Sequence, residues 1–426
     1  MAFIAQPLFA GDLYDAARRL AGDAATAFAA SVSARQANLT EVSGTGRPAL
    51  QASAAWRQVL DLGWQGVVVP ESLGGVGATL VDLAALVEGM AHGACPVPVA
   101  SRCGVAPTLL ALAASTAPQH VPLLHTLLEQ MTVGTISVCP VLDGERGSPG
   151  RAAGVWIADD GILRGRLAGA DLSEPATHLL VRARRRSNLT SIAHPDADPD
   201  GPSAIVLLTL DGLLRDASAA GAVQWHVGID DRRTADVDLG RMPATRGQIL
   251  LEGDEADAAV ASARRVGAVL GCAHAVGALA AIIEQTIDYL NNRSQFDVRL
   301  SSFQALRHRV VDMYVAYENL SGLVRQMVSQ VAADSLPTVS GAADFTSELA
   351  MLKLYTATVS RQVAESAIQL HGGMGMTLEL QAPRLAMSVL ATSLDDGERG
   401  ECLDWLVERA THPAAADEGV LAPLAA

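Results

Sequence analysis

Aromatic side chains are scarce in this chain. They make up 4% of its 426 residues, so any core must be built from small and branched aliphatics. Lysine is scarcer still: of 31 basic residues, Lys353 is the only one, a compositional bias without functional content. Basic charge is short overall, with 31 Lys and Arg against 46 Asp and Glu and a formal net charge of −15. A non-specific nucleic-acid binder needs a basic stripe to displace phosphate counterions, and none is present. The one dense cluster, Arg182-Ala-Arg-Arg-Arg186, adjoins a Pro/Asp-rich stretch and reads as a solvated loop edge.

Paired cysteines are missing as well. Cys95, Cys103, Cys139, Cys272 and Cys402 are scattered, with no Cys-x-x-Cys and no clustered histidines. That excludes a disulfide framework and a zinc site and fits a reducing cytoplasm. The start, Met1-Ala-Phe-Ile-Ala-Gln-Pro, lacks a basic region and a long apolar stretch, so no signal peptide is expected. Apolar runs such as 266–283 are rich in Ala and Gly and include His274; they read as buried core helices, not membrane spans.

What the chain has is apolar mass and helix formers. It is 50% hydrophobic, with mean hydropathy +0.24, enough for a large core in two or three domains. Helices are expected over 12–30, 52–62 and from near Thr79 to His92, the last with Leu80, Leu83, Val87 and Met90 at helical spacing. Between them, Gly63 to Gly77 reads as a short extended run, a stop at Pro70 and a turn at Gly74-Gly75-Val76-Gly77. That turn lacks the spacing and context of a dinucleotide cradle. From 131 to about 250 short strands are expected at 135–141, 154–157, 178–181, 204–210, 223–227 and 248–251, a spacing that suits a small β-barrel or sandwich. Residues 188–202 read as an exposed loop. Long helices return at 254–291, 303–334 and 345–370. Gly267, Gly271 and Gly277 are placed to let the first of them pack closely.

The division expected is a helical domain over 1–130, a β domain over 131–252, a helical bundle over 253–412 and a loose tail over 413–426.

Two stretches carry chemistry. Gln369-Leu-His371-Gly372-Gly373-Met-Gly375-Met-Thr377 ends a long helix in three glycines. Glycine accepts angles other residues avoid and lets a ligand come close to the backbone; the plainer reading of such a run is a helix cap and turn. Upstream lies Tyr289-Leu-Asn-Asn-Arg293-Ser-Gln-Phe296, then Phe303-Gln304 and His308. A planar, permanently charged guanidinium suits phosphate oxygens.

In order and spacing the two stretches resemble the flavin-dependent acyl-CoA dehydrogenase family, as do Pro70-Glu71-Ser-Leu-Gly74-Gly75 and the helix–β–helix sequence of layers. The resemblance implies a mainly α fold with a central β domain and a C-terminal four-helix bundle. It implies FAD as cofactor, with Arg293 and Phe296 at its pyrophosphate and adenosine and with Gln369, Gly372 and Gly373 contributing from a neighbouring subunit. Gln304 and His308 match a pattern that packs its helix. The family usually has Gly after the Phe; here it is Asp297.

Other segments depart further. Catalysis in the family needs a carboxylate to take the α-proton of an acyl-CoA while the flavin accepts a hydride from the β-carbon. Counting forward from the glycine turn places Asp396-Gly397 where many members have Glu-Gly, one methylene shorter; the plain reading is a solvated turn. Members that carry the base on the first bundle helix have it where Gly267 stands here, beside Arg264 and Arg265. Glu379, which follows Thr377 as family members often have it, reads as structural or near the cofactor. The flavin-ring segment survives only in outline, at Cys139 to Pro149, and Asp230 to Leu239 resembles the last strands of the β domain.

The resemblance therefore implies one subunit of a heteromeric acyl-CoA dehydrogenase of lipid or steroid catabolism, whose paralogous partner supplies the Glu. It also implies acyl-CoA as substrate and electron-transferring flavoprotein as acceptor. Two other readings stay open: a self-sufficient homo-oligomer using Asp396, and a non-catalytic structural subunit.

Overall fold

The structure, a computed structural model, describes residues 5–23, 52–142, 154–185, 201–333, 347–395 and 399–411, apart from Ala220, Pro243 and Leu378. The expected loop at 188–202 (bar its last two residues), most of the flavin-ring segment, Asp396-Gly397 and the tail lie outside them.

The first layer is helical: α1 over 12–23, α2 (Ala54–Asp61), α3 (Leu80–His92), α4 (Ala106–Thr116) and α5 (Val121–Thr132). Helix α3 starts at the cap its sequence announces. The Thr79 amide donates to Asp82 Oδ2 at 2.9 Å and the Asp82 amide to Thr79 Oγ1 at 3.3 Å, a reciprocal capping box. The extended run expected after Gly63 is instead a 3₁₀ turn, Trp64–Gly66, followed by tight bends. No strand is there to pair its valines. Gly66 lies so close to α5 that a Cβ would stand 2.3 Å from Thr132 Oγ1, and buried Gln65 donates to the Ile136 carbonyl at 2.9 Å.

The second layer holds β1 (Val138–Val141), β2 (Gly154–Ile157), β3 (Leu163–Asp171), β4 (His178–Arg185), β5 (Ser203–Thr209), helix α6 (Leu210–Ala219), β6 (Val223–Val227), β7 (Arg233–Asp238) and β8 (Gln248–Glu252). They form one sheet in the order β6-β7-β3-β2-β4-β5-β8, with β1 parallel to β4; β6 and β8 are its edges among the described pairings. One face, with Leu180, Ile205, Leu207 and Leu251, packs on α4, α5 and the start of the next helix. The other, with Val155, Leu167, Leu179, Val206 and Val237, is closed by Leu213, Leu214 and Ala217 of α6. The basic cluster at 182–185 belongs to β4, not to a loop edge, and is paired: Arg182 with Asp257 at 2.7 Å and Arg185 with Glu252 at 2.5 Å.

The third layer is built on α7 (Asp254–Asn292), with α8 (Gln304–Ala333), α9 (Ser347–His371), α10 (Gln381–Thr392) and α11 (Arg399–Thr411). Helix α7 is the one described helix long and apolar enough to cross a membrane, but most of its apolar stretch is buried in the protein. Gly277 brings α7 nearly against the α3 backbone: a Cβ there would stand 2.2 Å from the Glu88 carbonyl oxygen. Gly271 imposes no such limit, since its Cβ would meet only Thr392 Cγ2 at 3.8 Å. Gly277→Ala is expected to push α3 and α7 apart and cost about 1–3 kcal/mol, read from the midpoint of chemical unfolding.

Residues 5–8 are stitched into a groove between α3, α7 and α8. The Ala5 amide donates to Glu284 at 2.9 Å, the Leu8 amide to both Glu88 oxygens at 2.8 and 3.0 Å, Tyr317 Oη to the Gln6 carbonyl at 3.2 Å, and Arg325 Nε to the Leu8 carbonyl at 3.1 Å. Burial pushes the Glu88 carboxyl up to about 7, against the amides of Leu8 and Phe9 and the charge of Arg325. An acid with a raised folded pKa favours the folded state while protonated. Its contribution is full below about 4.5 and is lost as pH rises to about 7, on the order of 3 kcal/mol. Glu284 is shifted the other way: burial opposes ionisation, but the His92 hydrogen bond and charge outweigh it and lower its pKa, so its loss falls below the Glu88 window. Measured against Glu88→Gln, the unchanged chain should therefore lose stability between pH 4.5 and 7 in urea titrations, a difference that sets aside the opposite contribution of His274, whose pKa burial lowers to about 4.

Candidate functional site

Helix α7 ends at Arg293, whose amide still donates to the Tyr289 carbonyl at 2.8 Å. The chain then makes a small hairpin of β9 (Ser294–Gln295) and β10 (Val298–Arg299), closed where the Leu300 amide donates to the Arg293 carbonyl at 2.9 Å. Its two turn residues, Phe296 and Asp297, are both left-handed, with φ 55° and 63°. That is the two-residue turn whose twist matches a hairpin, and its second position favours Gly. Asp tolerates the conformation; a bulky Phe does so only at a cost. Phe296 is 85% exposed and meets Phe303 edge-on at 6.4 Å. Arg293 is exposed and has no ion pair among the described residues.

Helix α9 ends at the second stretch, in a 3₁₀ segment Gly372–Met376. Gly372 is left-handed at φ 59°. Gly375 is required for packing, since a Cβ would lie 2.4 Å from the Ile368 carbonyl oxygen. At Gly372 and Gly373 the reverse holds: both are exposed and nothing lies within 4 Å of where a Cβ would stand. A bulky flat or anionic ligand could come to their peptide groups unobstructed.

One aromatic contact brings the two stretches together. The rings of Tyr289 and His371 lie 4.6 Å apart, tilted by 34°. His371 Nδ1 donates to the Ala367 carbonyl at 2.8 Å, and burial lowers its pKa, so the ring is held neutral and oriented. The Arg293–Phe296 hairpin and the Gly372-Gly373 turn thus stand at the same end of the bundle. Gln369 is on the exposed face of α9. Gln304 and His308 face solvent one turn apart on α8, touching each other at 3.4 Å; neither packs its helix into the core.

A second polar group of residues lies where α7, α10 and the sheet meet. Arg232 Nη1 donates to Asp395 Oδ2 at 2.7 Å, and its Nε pairs with Asp230. Burial opposes that charge, but Asp395, Asp230 and Asp171 hold the guanidinium above its ordinary pKa. Lys353 Nζ donates to the Asp395 carbonyl at 2.7 Å. Close by, His274 of α7 meets Ser388 Oγ of α10 at 3.1 Å. Burial pushes His274 down to about 4, with the Arg232 charge adding to it, so it is neutral near pH 7. Arg384 lies on the same face of α10, one turn before Ser388.

None of these residues was singled out from the sequence as a site. The signal in the sequence was His274, a polar side chain inside the apolar run 266–283. At Gly267 there is no side chain to serve as a base, and the Asp395 carboxylate is engaged by Arg232. Asp396 follows directly but lies outside the described residues. No cluster of three metal-ligating side chains occurs among the described residues, and all five cysteines are free and buried.

The model of the N-terminal domain of acyl-CoA dehydrogenases matches residues 15–120, and that of their C-terminal domain matches residues 259–409. Acyl-CoA dehydrogenase FadE28 of Mycobacterium tuberculosis is 23% identical over 77% of this chain and 84% of its own length. FadE27 of the same organism is 26% identical over 79% and 82%. Among solved structures, a Tcur3481-Tcur3483 steroid ACAD variant has TM-score 0.69 at 23% identity, covering 95% of this chain and 98% of its own. The ChsE4-ChsE5 complex of M. tuberculosis has TM-score 0.68 at 19% identity, covering 97% and 100%. At these identities the structural likeness speaks for the fold.

Proposed function

Because the chain belongs to the acyl-CoA dehydrogenase family of oxidoreductases, we propose that it is one subunit of a heteromeric, FAD-dependent acyl-CoA dehydrogenase whose paralogous partner supplies the catalytic Glu. The observation that carries this reading is the exposed platform joined by Tyr289 and His371. It offers a cation at Arg293, an aromatic at Phe296 and two peptide groups at Gly372 and Gly373 with no side chain in the way. Those groups fit an anionic dinucleotide held at a subunit interface. Arg293 would take the pyrophosphate, Phe296 the adenosine side, and Gln369 would add a hydrogen bond. When bound, FAD supplies the hydride acceptor for α,β-dehydrogenation of an acyl-CoA thioester. Asp297 is the one ill-suited group, an acid beside an anion.

The lack of a carboxylate at Gly267 and the Arg232 pairing of Asp395 favour a base supplied in trans. A self-sufficient homo-oligomer would instead depend on Asp396. Relatives with solved heteromeric complexes, described as a steroid enzyme and as ChsE4-ChsE5, make a steroid-like acyl group and a paralogous partner the first to try, with electron-transferring flavoprotein as acceptor. The domain limits proposed remain 1–130, 131–252 and 253–412.

The test is to purify the chain alone and with a co-expressed paralogue and to record flavin absorbance and its bleaching by acyl-CoAs. Bleaching only in the mixed complex is expected. Bleaching by the chain alone, abolished by Asp396→Asn, would show that it carries its own base. Absence of flavin from both preparations would leave only a structural subunit.

A further inference from the structure

Arg102 is the most deeply buried cation described. It is 0% exposed and sits in a π-helical turn, Ala100–Val105, between α3 and α4. Such turns are uncommon and cluster where a side chain must be aimed. Its Nη1 donates to Ser137 Oγ at 3.2 Å and to the Pro175 carbonyl at 2.6 Å. Its Nη2 donates to the carbonyls of Asp171 and Glu174, both at 2.7 Å. Its guanidinium lies 5.4 Å from the centre of the Trp56 ring. One side chain of the helical layer therefore holds the whole turn between β3 and β4.

That turn is fixed on its far side too. The Leu172 amide donates to the Arg233 carbonyl at 2.8 Å, and the Arg233 amide to Ser173 Oγ at 3.0 Å. The residue before, Arg232, reaches Asp395 at 2.7 Å. Hydrogen bonds, joined by the backbone at residues 171–174 and at Arg232–Arg233, thus connect the N-terminal helices through the sheet to the turn after α10. The guanidinium at each end is anchored by more than one acceptor.

We propose that Arg102 and Arg232 are the two ends of a positioning relay that seats the turn ending at Asp395 according to how the N-terminal helices sit on the sheet. A contiguous path is not by itself coupling, so the relay must be shown by an effect at one end of a change at the other. It rests on the proposed function only where flavin is the reporter.

The experiment is amide hydrogen exchange on the purified chain with Arg102→Lys, Ser173→Ala and Arg232→Gln. Ser173→Ala removes one of the two hydrogen bonds in the middle of the path, leaving that of the Leu172 amide, without burying an unpaired charge, and so serves if Arg102→Lys does not fold. Each variant is expected to raise exchange about tenfold in the peptide ending at Asp395. A rise confined to 98–105 and 171–177 on changing Arg102 or Ser173 would overturn the relay and leave Arg102 a local strut. In the flavin-loaded complex, Ser173→Ala and Arg232→Gln should shift the flavin absorbance maximum at unchanged occupancy. An unshifted maximum in a flavin-loaded complex would also count against the relay. If no preparation binds flavin, the proposed function fails, while hydrogen exchange still decides the relay.

Discussion

An Arg293→Ala chain co-purified with its partner should retain about a tenth or less of its flavin. A guanidinium on a phosphate makes charge-assisted hydrogen bonds worth about 1.5–3 kcal/mol, or roughly a tenfold to hundredfold loss of affinity when they are removed. Folding should be untouched, because Arg293 is exposed and has no ion pair among the described residues. Asp297→Gly is the matching gain. It removes an acid beside the proposed anion and frees a residue held at φ 63°, so flavin should be held at least as tightly and the melting temperature should not fall. Flavin-to-protein absorbance ratios after gel filtration check both. Full occupancy in Arg293→Ala would place the pyrophosphate elsewhere.

The largest loss of stability is expected at Arg102. Arg102→Met would take a donor from the Ser137 hydroxyl and from the carbonyls of Asp171, Glu174 and Pro175 in a fully buried site. Leaving a buried polar group without its hydrogen bond costs about 1–3 kcal/mol for each group, so the four together make this the largest expected loss. Arg102→Lys should recover part of that, since an ammonium satisfies some of these acceptors but cannot span them all. Unfolding midpoints in denaturant measure the difference. A change below about 1 kcal/mol would mean that the turn closes without the guanidinium.

Much of the fold was legible because its signals are local. The period of α3, its cap at Thr79 and the length of α7 are written in neighbouring residues. Strand β3 was not, because Arg164, Gly165, Arg166 and Gly169 break the alternation that marks a strand; its pairing with β2 and β7 decides it. Helix α6 was hidden by Asp211-Gly212, a pair that reads as a turn, and is made instead by the apolar face it closes.

The site divides the same way. Arg293, Phe296 and the glycines could be named from chemistry and spacing, but nothing local said that Tyr289 and His371 would hold them at one end of the bundle. The pairs His274–Ser388 and Arg232–Asp395 join separate elements. No window on the sequence contains both partners.

The lone lysine carries a practical consequence. Lys353 is 4% exposed, its ammonium spent on the Asp395 carbonyl, so reagents that acylate surface amines find almost nothing here beyond the α-amine. In a mixed assembly, amine-directed crosslinkers and dyes would mark the companion chain and pass over this one. Stoichiometry could then be read from label per particle, without a tag on either protein.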